Sequence, residues 1–391
     1  MKILGRVFLG LFLILLLIAG IILVNTFRFQ SKQRDIQPIV AVQVSNQALT
    51  HLQQAISFPT VTYQIGQALD STAFSGFGNF LDQSYPLADS LLELTILNDY
   101  ARLYKWEGKD PSKKPIVLIA HYDVVPVLDE NLKDWRYPAF SGQIAEDTLW
   151  GRGAIDDKFS VIGLLEAAES LLAEGFQPNQ TIYLAFGHDE EIGGGFGAES
   201  LVAFLKEKGV EAEYVLDEGY AVTRNLVPGI SDQEVALIGL AEKGYCTLAL
   251  SIQQAGGHSS MPAPATAIQS LAAALTALKE QPFPARISPP IEGFIEMLGP
   301  EMPFINRMAF ANPFFFENMV LNIYQKSATG NALVSTTMVP TIFNAGKKDN
   351  VVPRYARAVI NFRMLPGDTL QVLLDHVRAV VDNEQLTIEQ L

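Results

Sequence analysis

Four apolar runs in this chain each stop on clustered acidic or histidine residues. The clusters are His121 and Asp123 in AHYDVVP, Asp156-Asp157 in WGRGAIDDK, Glu190-Glu191 in FGHDEE and Asp217-Glu218 in VLDEG. Carboxylates held together at the ends of buried segments repel one another and resist drying, so the fold must give them a common purpose. Three of the apolar runs, PIVLIAHYDVV, TIYLAFGHDEE and AEYVLDEGY, read as buried strands. SVIGLLEAAESLLAEG and AESLVAFLKEKG between them read as helices. Strands alternating with helices predict a mostly parallel sheet covered on both faces. In such a sheet the carboxyl ends of the strands face one crevice, where all four clusters could converge.

The pattern changes near Glu242. CTLALSIQQA, TAIQSLAAALTALKE, TTMVPTIFNAG, ARAVINFRML, TLQVLLDHVRAVVDN and LTIEQL follow the order β-α-β-β-α-β of a ferredoxin-like α+β domain. A Pro- and Phe-rich insertion at about residues 282–330 interrupts it. At the other end, Val7 to Val24 contains no polar residue. As a helix that stretch crosses roughly the 30 Å hydrocarbon core of a bilayer. It is longer than a signal-peptide core, and its small residues Ala19-Gly20 lie inside the run, so an uncleaved single-pass anchor is expected. The organisation read from the sequence is an anchor (1–28), a stalk (29–40), an α/β catalytic domain (41–241) and the ferredoxin-like domain (242–391). The catalytic domain is expected on the extracytoplasmic side.

Composition narrows the function. The formal net charge of −14 argues against a nucleic-acid partner. The single cysteine, Cys246, excludes an intrachain disulfide. Histidine with several carboxylates and no thiolate is a mixed N/O donor set that suits Zn²⁺, with Co²⁺ or Mn²⁺ as alternatives. A carboxylate shared by two ions would make a two-metal hydrolytic site. No phosphate-binding loop of the G-x-x-x-x-G-K type is present for an ATP-dependent amide ligase.

AHYDVVP, WGRGAIDDK, FGHDEE, VLDEG, EKGY, GGHSSMP, TIFNAGKKDNVVP and NFRMLPGD, in this order, resemble the di-zinc metallopeptidases that include aminoacylase, glutamate carboxypeptidase and succinyl-diaminopimelate desuccinylase. The likeness is greatest to the carboxypeptidase S and N-fatty-acyl-amino-acid hydrolase branch, and it covers about residues 40–391. The resemblance implies a zinc-dependent carboxypeptidase or N-acyl-amino-acid amidohydrolase with two divalent ions. It would cleave an amide bond next to a free carboxylate in a dipeptide or N-acyl amino acid. His121 and Asp217 would hold one metal, Glu191 the other, and Asp156 would bridge them. Asp123 would fix the His121 tautomer, and Glu190 would be the general base toward the metal-activated water. From the second domain, a lid that also serves dimerisation in relatives, His258 would stabilise the oxyanion. Arg363 and Asn350 would contact the substrate, Arg363 through its carboxylate. The insertion phenylalanines, Phe304, Phe310, Phe314, Phe315 and Phe316, would either receive an acyl chain or pack on the lid.

The family pattern includes one further ligand, a histidine near the C-terminus, which the sequence does not reach before Leu391. His376 lies in an expected lid helix and does not replace it. Two readings follow: a piece of a longer hydrolase, favoured because Glu190 is retained, or a truncated, non-catalytic, membrane-anchored binding protein of the same fold. His51 and His376 are expected to be structural, His188 to support the site without ligating, and Cys246 to be a buried inert thiol.

Overall fold

The computed structural model describes residues 2–34, 36–37, 44, 46–219, 221–227, 230–261 and 263–391. Part of the expected stalk and the first residues of the expected catalytic domain lie outside the described residues. The chain divides into two compact units, residues 38–219 and residues 1–37 with 220–391. The division therefore falls after Gly219 rather than at residue 241. The extra residues join the second unit because Val227, Ile230 and Val235 bury themselves with Met302 and against Phe294, Leu298 and Phe310 of the insertion.

The apolar N-terminus forms one helix, α1 (Lys2–Arg28). The first unit opens with helices α2 (Asn46–Ile56), α3 (Ser71–Ser84) and α4 (Pro86–Leu91). Asp70 caps α3 by accepting the Thr72 and Ala73 amides. Strands β1 (Glu93–Leu97), β2 (Ala101–Trp106) and β3 (Ile116–His121) follow, then the small hairpin β4 (Gln143–Ala145) and β5 (Thr148–Trp150). Helix α5 (Lys158–Ala173), strand β6 (Ile182–Gly187), helix α6 (Ala198–Glu207) and strand β7 (Tyr214–Leu216) complete the unit.

Its sheet has the order β1-β2-β6-β3-β7. The expected parallel strands are β3, β6 and β7, but β1–β2 and β2–β6 are antiparallel, so the sheet is mixed rather than mostly parallel. The turn between β1 and β2 places Asn98 and Asp99 at positive φ, a conformation these two residue types tolerate. On one face Phe74, Phe77 and Leu81 of α3 and Val161 and Leu165 of α5 pack on Tyr104, Tyr122 and Phe186. On the other, Leu201 and Leu205 of α6 cover Leu103, Val117 and Ala185.

The second unit continues with the strand pair β8 (Val222–Arg224) and β9 (Glu234–Ala236), then β10 (Gly244–Gln253) and the short β11 (Gly257–His258). Helix α7 (Ala267–Glu280) begins with a capping box of Thr266 and Gln269. The insertion is four helices: α8 (Pro289–Leu298), α9 (Phe304–Phe310), α10 (Pro313–Tyr324) and α11 (Ala328–Val334). Strands β12 (Thr337–Ala345), β13 (Val351–Val352) and β14 (Tyr355–Met364), helix α12 (Leu370–Val381) and strand β15 (Leu386–Gln390) follow. The antiparallel sheet β12-β14-β10-β15 carries α7 and α12 on one face through Leu248, Leu250, Ile360 and Phe362 against Leu271, Leu278, Leu373 and Val377. Cys246 is buried in the same layer. His376 Nε2 donates to the Gln281 carbonyl (3.0 Å), and the ring stacks on Phe283, with 4.0 Å between ring centroids.

The two units have separate cores, and Trp106, Trp135 and Trp150, the protein's three tryptophans, all lie in the first. Phe77→Ala is expected to cost about 3–5 kcal/mol. Denaturant unfolding followed by tryptophan emission should show the lowered midpoint.

Candidate metal centre

Parallel pairing brings the acidic clusters to one edge of the sheet. His121 ends β3 opposite Gly187, the last residue of β6. Leu216 ends β7 opposite Leu118, so two more residues bring Glu218 almost level with His121. Asp156 arrives from the loop between β5 and α5. His121 Nε2 lies 3.0 Å from Asp156 Oδ1 and 3.1 Å from Glu218 Oε1. Among the described residues these three offer donor atoms all within 4.8 Å of one another.

Asp123 organises the opposite side of the ring. Its carboxylate is fully buried, and Oδ1 lies 3.2 Å from His121 Nδ1. It accepts the Thr62 hydroxyl at 2.8 Å and the backbone amides of Glu190 and Glu191 at 3.0 and 3.2 Å. One carboxylate thus orients the imidazole so that Nε2 faces the acidic cluster, and it also anchors the two glutamates. Glu190–Ile192 form a single 3₁₀ turn, not a continued strand. That turn keeps two consecutive carboxylates near one site, where an extended chain would send them to opposite faces. Gly193 and Gly194 then take positive φ, and Asp189 closes the loop by accepting the Phe196 and Gly197 amides at 2.7 Å each. A side chain at Gly197 would start 2.5 Å from Asp189 Oδ1.

The charges confirm a shared field. Burial raises Glu190, with His121 opposing and Asp123, Asp156 and Asp217 adding to the rise. Burial also raises Glu191, followed by the Asp156 charge. Glu218 is pushed up to about 7 by burial and by Asp157. Burial pulls His121 down, but its hydrogen bond to Asp123 and the charges of Asp123, Glu218 and Glu190 win and push it up to about 10. A protonated imidazole among repelling carboxylates occupies the electrostatic position of a cation. The donor set therefore fits a divalent ion, with His121 offering Nε2 once deprotonated and Nδ1 held by Asp123.

Asp217 is exposed, and its Oδ1 accepts the Glu218 amide at 2.9 Å. The reach of Glu218 to His121 makes it a second candidate ligand. Its only signal in the sequence is its place next to Asp217. Thr62 and Lys158 escaped notice as parts of the site, and Asp157 was named only as the neighbour of Asp156. Asp157 Oδ2 accepts the His121 amide at 3.4 Å. Lys158 is buried and donates to the Ala55 and Phe58 carbonyls at 3.0 and 2.6 Å. Burial lowers it to about 7 against the pull of Asp123. His188 is buried, lowered by burial, and set edge-on to Phe74 and Tyr100. His51 pairs with Glu166 at 2.5 Å on α5.

The remaining candidates belong to the second unit. His258 is exposed on β11, with Nδ1 2.8 Å from the Ser260 hydroxyl. Asn350 is its neighbour: its carbonyl accepts the Ser259 amide at 3.1 Å, and its buried side-chain Oδ1 has no hydrogen-bond partner. Arg363 is exposed on β14, its guanidinium 4.7 Å from the Tyr245 ring centroid.

A two-faced α/β unit with a His-carboxylate cluster on one strand edge, joined to a β-α-β-β-α-β unit, is the architecture of a metal-dependent hydrolase. Residues 117–317 match the model of peptidase family M20/M25/M40, and the chain belongs to that family. Over 389 residues it is 37% identical to "Probable carboxypeptidase S-like 2" of Dictyostelium discoideum, covering 96% of this chain and 74% of that one. It is 36% identical to "N-fatty-acyl-amino acid synthase/hydrolase PM20D1" of Xenopus tropicalis, covering 100% of this chain and 77% of the relative. It is 33% identical to carboxypeptidase S of Saccharomyces cerevisiae, covering 82% of this chain and 58% of the yeast one. Among solved structures, the M20 family metallo-carboxypeptidase Sso-CP2 from Sulfolobus solfataricus shares the fold with a TM-score of 0.55 at 20% identity. That match covers 88% of this chain and 78% of the other.

Asp123→Asn would set an amide against two backbone N–H groups. Metal affinity, measured calorimetrically, should fall roughly 10–100-fold. A pH effect follows from the raised groups. His121 (ordinary 6.5, folded about 10) and Glu218 (ordinary 4.5, folded about 7) both bind protons more tightly in the folded chain. Their contributions are fully present below those ordinary values and are lost as pH rises through the folded ones. With chelator present, the melting temperature should therefore decline as pH rises from about 5 to 7. Above that the loss at His121 is opposed by Lys158, whose folded value of about 7 lies below its ordinary 10.5, so that it adds stability with rising pH. Added metal, which replaces the protons, should raise it most at the alkaline end.

Proposed function

We propose that this chain is a membrane-anchored, metal-dependent hydrolase that cleaves an amide bond adjacent to a free carboxylate, in an N-acyl amino acid or the C-terminal bond of a peptide. The observation that carries the reading is the geometry around Asp123, which holds a histidine and two consecutive glutamates toward one acidic cluster. The relatives whose names record carboxypeptidase and N-fatty-acyl-amino-acid hydrolase activity support the substrate class.

In this reading His121, Asp156 and either Asp217 or Glu218 would hold one ion, and Asp156 with Glu191 would hold a second. Bound divalent cations, zinc first by the donor set, would polarise the scissile carbonyl and acidify the attacking water. Glu190 takes the proton from that water and passes it to the leaving amine. Its side chain is half exposed at the cluster, with Oε2 3.8 Å from His121 Nε2. Its raised affinity for protons suits a group that must hold one between the two transfers. Asp123 keeps the imidazole and the glutamate turn in place. His258 stabilises the oxyanion, and Arg363 with Asn350 receives the substrate carboxylate. The Arg363 fork suits that bidentate task, and its stacking on Tyr245 presets its plane. β12 is an edge strand with Val339, Ile342 and Phe343 exposed, which supports self-association through this sheet. The apolar α1 serves as the anchor, with the hydrolase unit outside the cytoplasm.

Purified protein with added Zn²⁺, Co²⁺ or Mn²⁺ is assayed against N-acyl amino acids and dipeptides. Glu190→Gln should lower kcat by about 10²–10⁴-fold and leave bound metal unchanged. Equal turnover by both proteins would remove Glu190 from the chemistry. Arg363→Lys should raise KM for substrates with a free carboxylate and not for their amide-capped forms. In parallel, Asp217→Ala and Glu218→Ala are compared for metal content, and the ligand is the one whose loss removes an ion.

A further inference from the structure

The second unit holds its insertion against the end of the apolar helix by side chains specific enough to carry a conclusion. Asn312, between α9 and α10, is 2% exposed. Its Oδ1 accepts the Asn25 amide at 2.9 Å. Its Nδ2 donates to the Ile22 carbonyl at 3.2 Å and to the Thr26 hydroxyl at 3.3 Å. Thr26 is itself buried and donates to the Ile22 carbonyl. Beyond it Phe27 meets Phe304, with 6.3 Å between centroids, and Phe29 fills the space left by Gly299, where a side chain would begin 2.7 Å from its ring. Lys32 pairs with Glu296, and Gln33 donates to the Met297 carbonyl. The contact thus runs continuously from Ile22 to Gln33, across the point where the apolar stretch gives way to Arg28.

A leader removed during export would not share a buried network of asparagine and threonine side chains with the mature domain. The contact also fixes depth. Ile22 lies six residues before Arg28, about 9 Å along a helix. The start of α10 therefore sits at the polar boundary of any bilayer that α1 crosses. The face turned out there is rich in large apolar side chains, with Asn318 and Asn322 exposed among them. Phe315, Met319 and Ile323 follow one another at four-residue spacing along α10, and all are exposed. Phe314 beside them is 90% exposed. Arg28, Lys32 and Arg34 follow the span in a chain of net charge −14, and Arg28 lies at its polar end, as an anionic headgroup layer would favour.

We propose that α9 and α10 form a membrane-docking element: α9 and the Asn312 that precedes α10 pack on the last turns of a retained α1, and α10 lays Phe314, Phe315, Met319 and Ile323 into the boundary between lipid headgroups and acyl chains. The proposal rests on the anchor reading above. The occupant of this face is lipid, because Phe304 and Asn312 hold the start of α10 against the last turns of the apolar helix, next to the basic Arg28.

The test uses the full chain with Cys246→Ala, reconstituted in nanodiscs of phosphatidylcholine and phosphatidylglycerol. Phe314→Cys, Met319→Cys or Glu384→Cys carries a bimane label, and the lipids carry a nitroxide quencher. Glu384 precedes β15, whose Leu386 pairs with Ile252, at the end of β10 opposite to the Tyr245–Arg363–Thr337 end where the insertion returns. The labels at 314 and 319 should lose most of their emission, and that at 384 should keep it. Asn25→Cys with Asn312→Cys should form a disulfide on mild oxidation. An intact mass lacking α1 would refute the anchor reading itself. A retained α1 with unquenched labels at 314 and 319 would refute only the docking. Shielded labels that instead cross-link to a second copy would make the face a self-association surface and also overturn it.

Discussion

The whole candidate centre depends on one buried carboxylate. Asp123 is closed off from solvent. An isolated charge in that position would be very costly. It is tolerated because the Thr62 hydroxyl and the Glu190 and Glu191 amides converge on it, with the His121 imidazole beside them. Lys158, buried nearby, feels its charge and ties the end of α2 through the Ala55 and Phe58 carbonyls. Thr60 donates to the Tyr122 carbonyl, and Val61 bridges to Val124, so the segment after α2 is bound along the chain that follows β3. Three parts of the chain distant in sequence therefore meet at Asp123, and the positions of His121, Glu190 and Glu191 are set together.

This arrangement explains how FGHDEE holds three consecutive acids without unfolding its own loop. Each does something different. Asp189 turns inward and caps the Phe196 and Gly197 amides. Glu190 and Glu191 lend their backbone amides to Asp123 and keep their side chains toward the cluster. Repulsion is thereby divided between a buried carboxylate that is neutralised by amides and partly exposed ones that are relieved by protonation or by a cation. The raised pKa values of Glu190, Glu191 and Glu218 come first from burial and then from mutual repulsion that His121 offsets only in part.

Much of this was legible in the sequence because strand ends carry a strong signal. An apolar run that stops on acids is hard to place anywhere but at an edge facing a crevice. His121, Asp156, Glu190 and Glu191 were read that way, and the α/β and ferredoxin-like orders followed from periodicity. What escaped was decided by tertiary contacts. The hairpin over residues 93–106 lacks a glycine turn, and it makes the sheet mixed. Which of Asp217 and Glu218 faces His121 depends on the register of β7, and two adjacent acids give no clue to it. The boundary after Gly219 arises from Val227 and Ile230 finding the insertion, a long-range choice with no local signature.

The insertion shows the same limit from the other side. Its phenylalanines drew attention as an acyl-chain receptor or as packing on the lid. In the structure Phe304 meets Phe27, while Phe314 and Phe315 meet each other at an exposed surface. The informative residue is instead Asn312, an ordinary polar residue before a proline. A single asparagine gains meaning only when its partners are known, and here two of them, Asn25 and Thr26, lie on a helix nearly three hundred positions away. Polar groups in an apolar span are costly unless they are paired, so their presence at the end of α1 already asked for a partner. Asn312 answers that demand, and in doing so it joins the segment that carries the hydrophobic span to the segment that carries the exposed aromatic face.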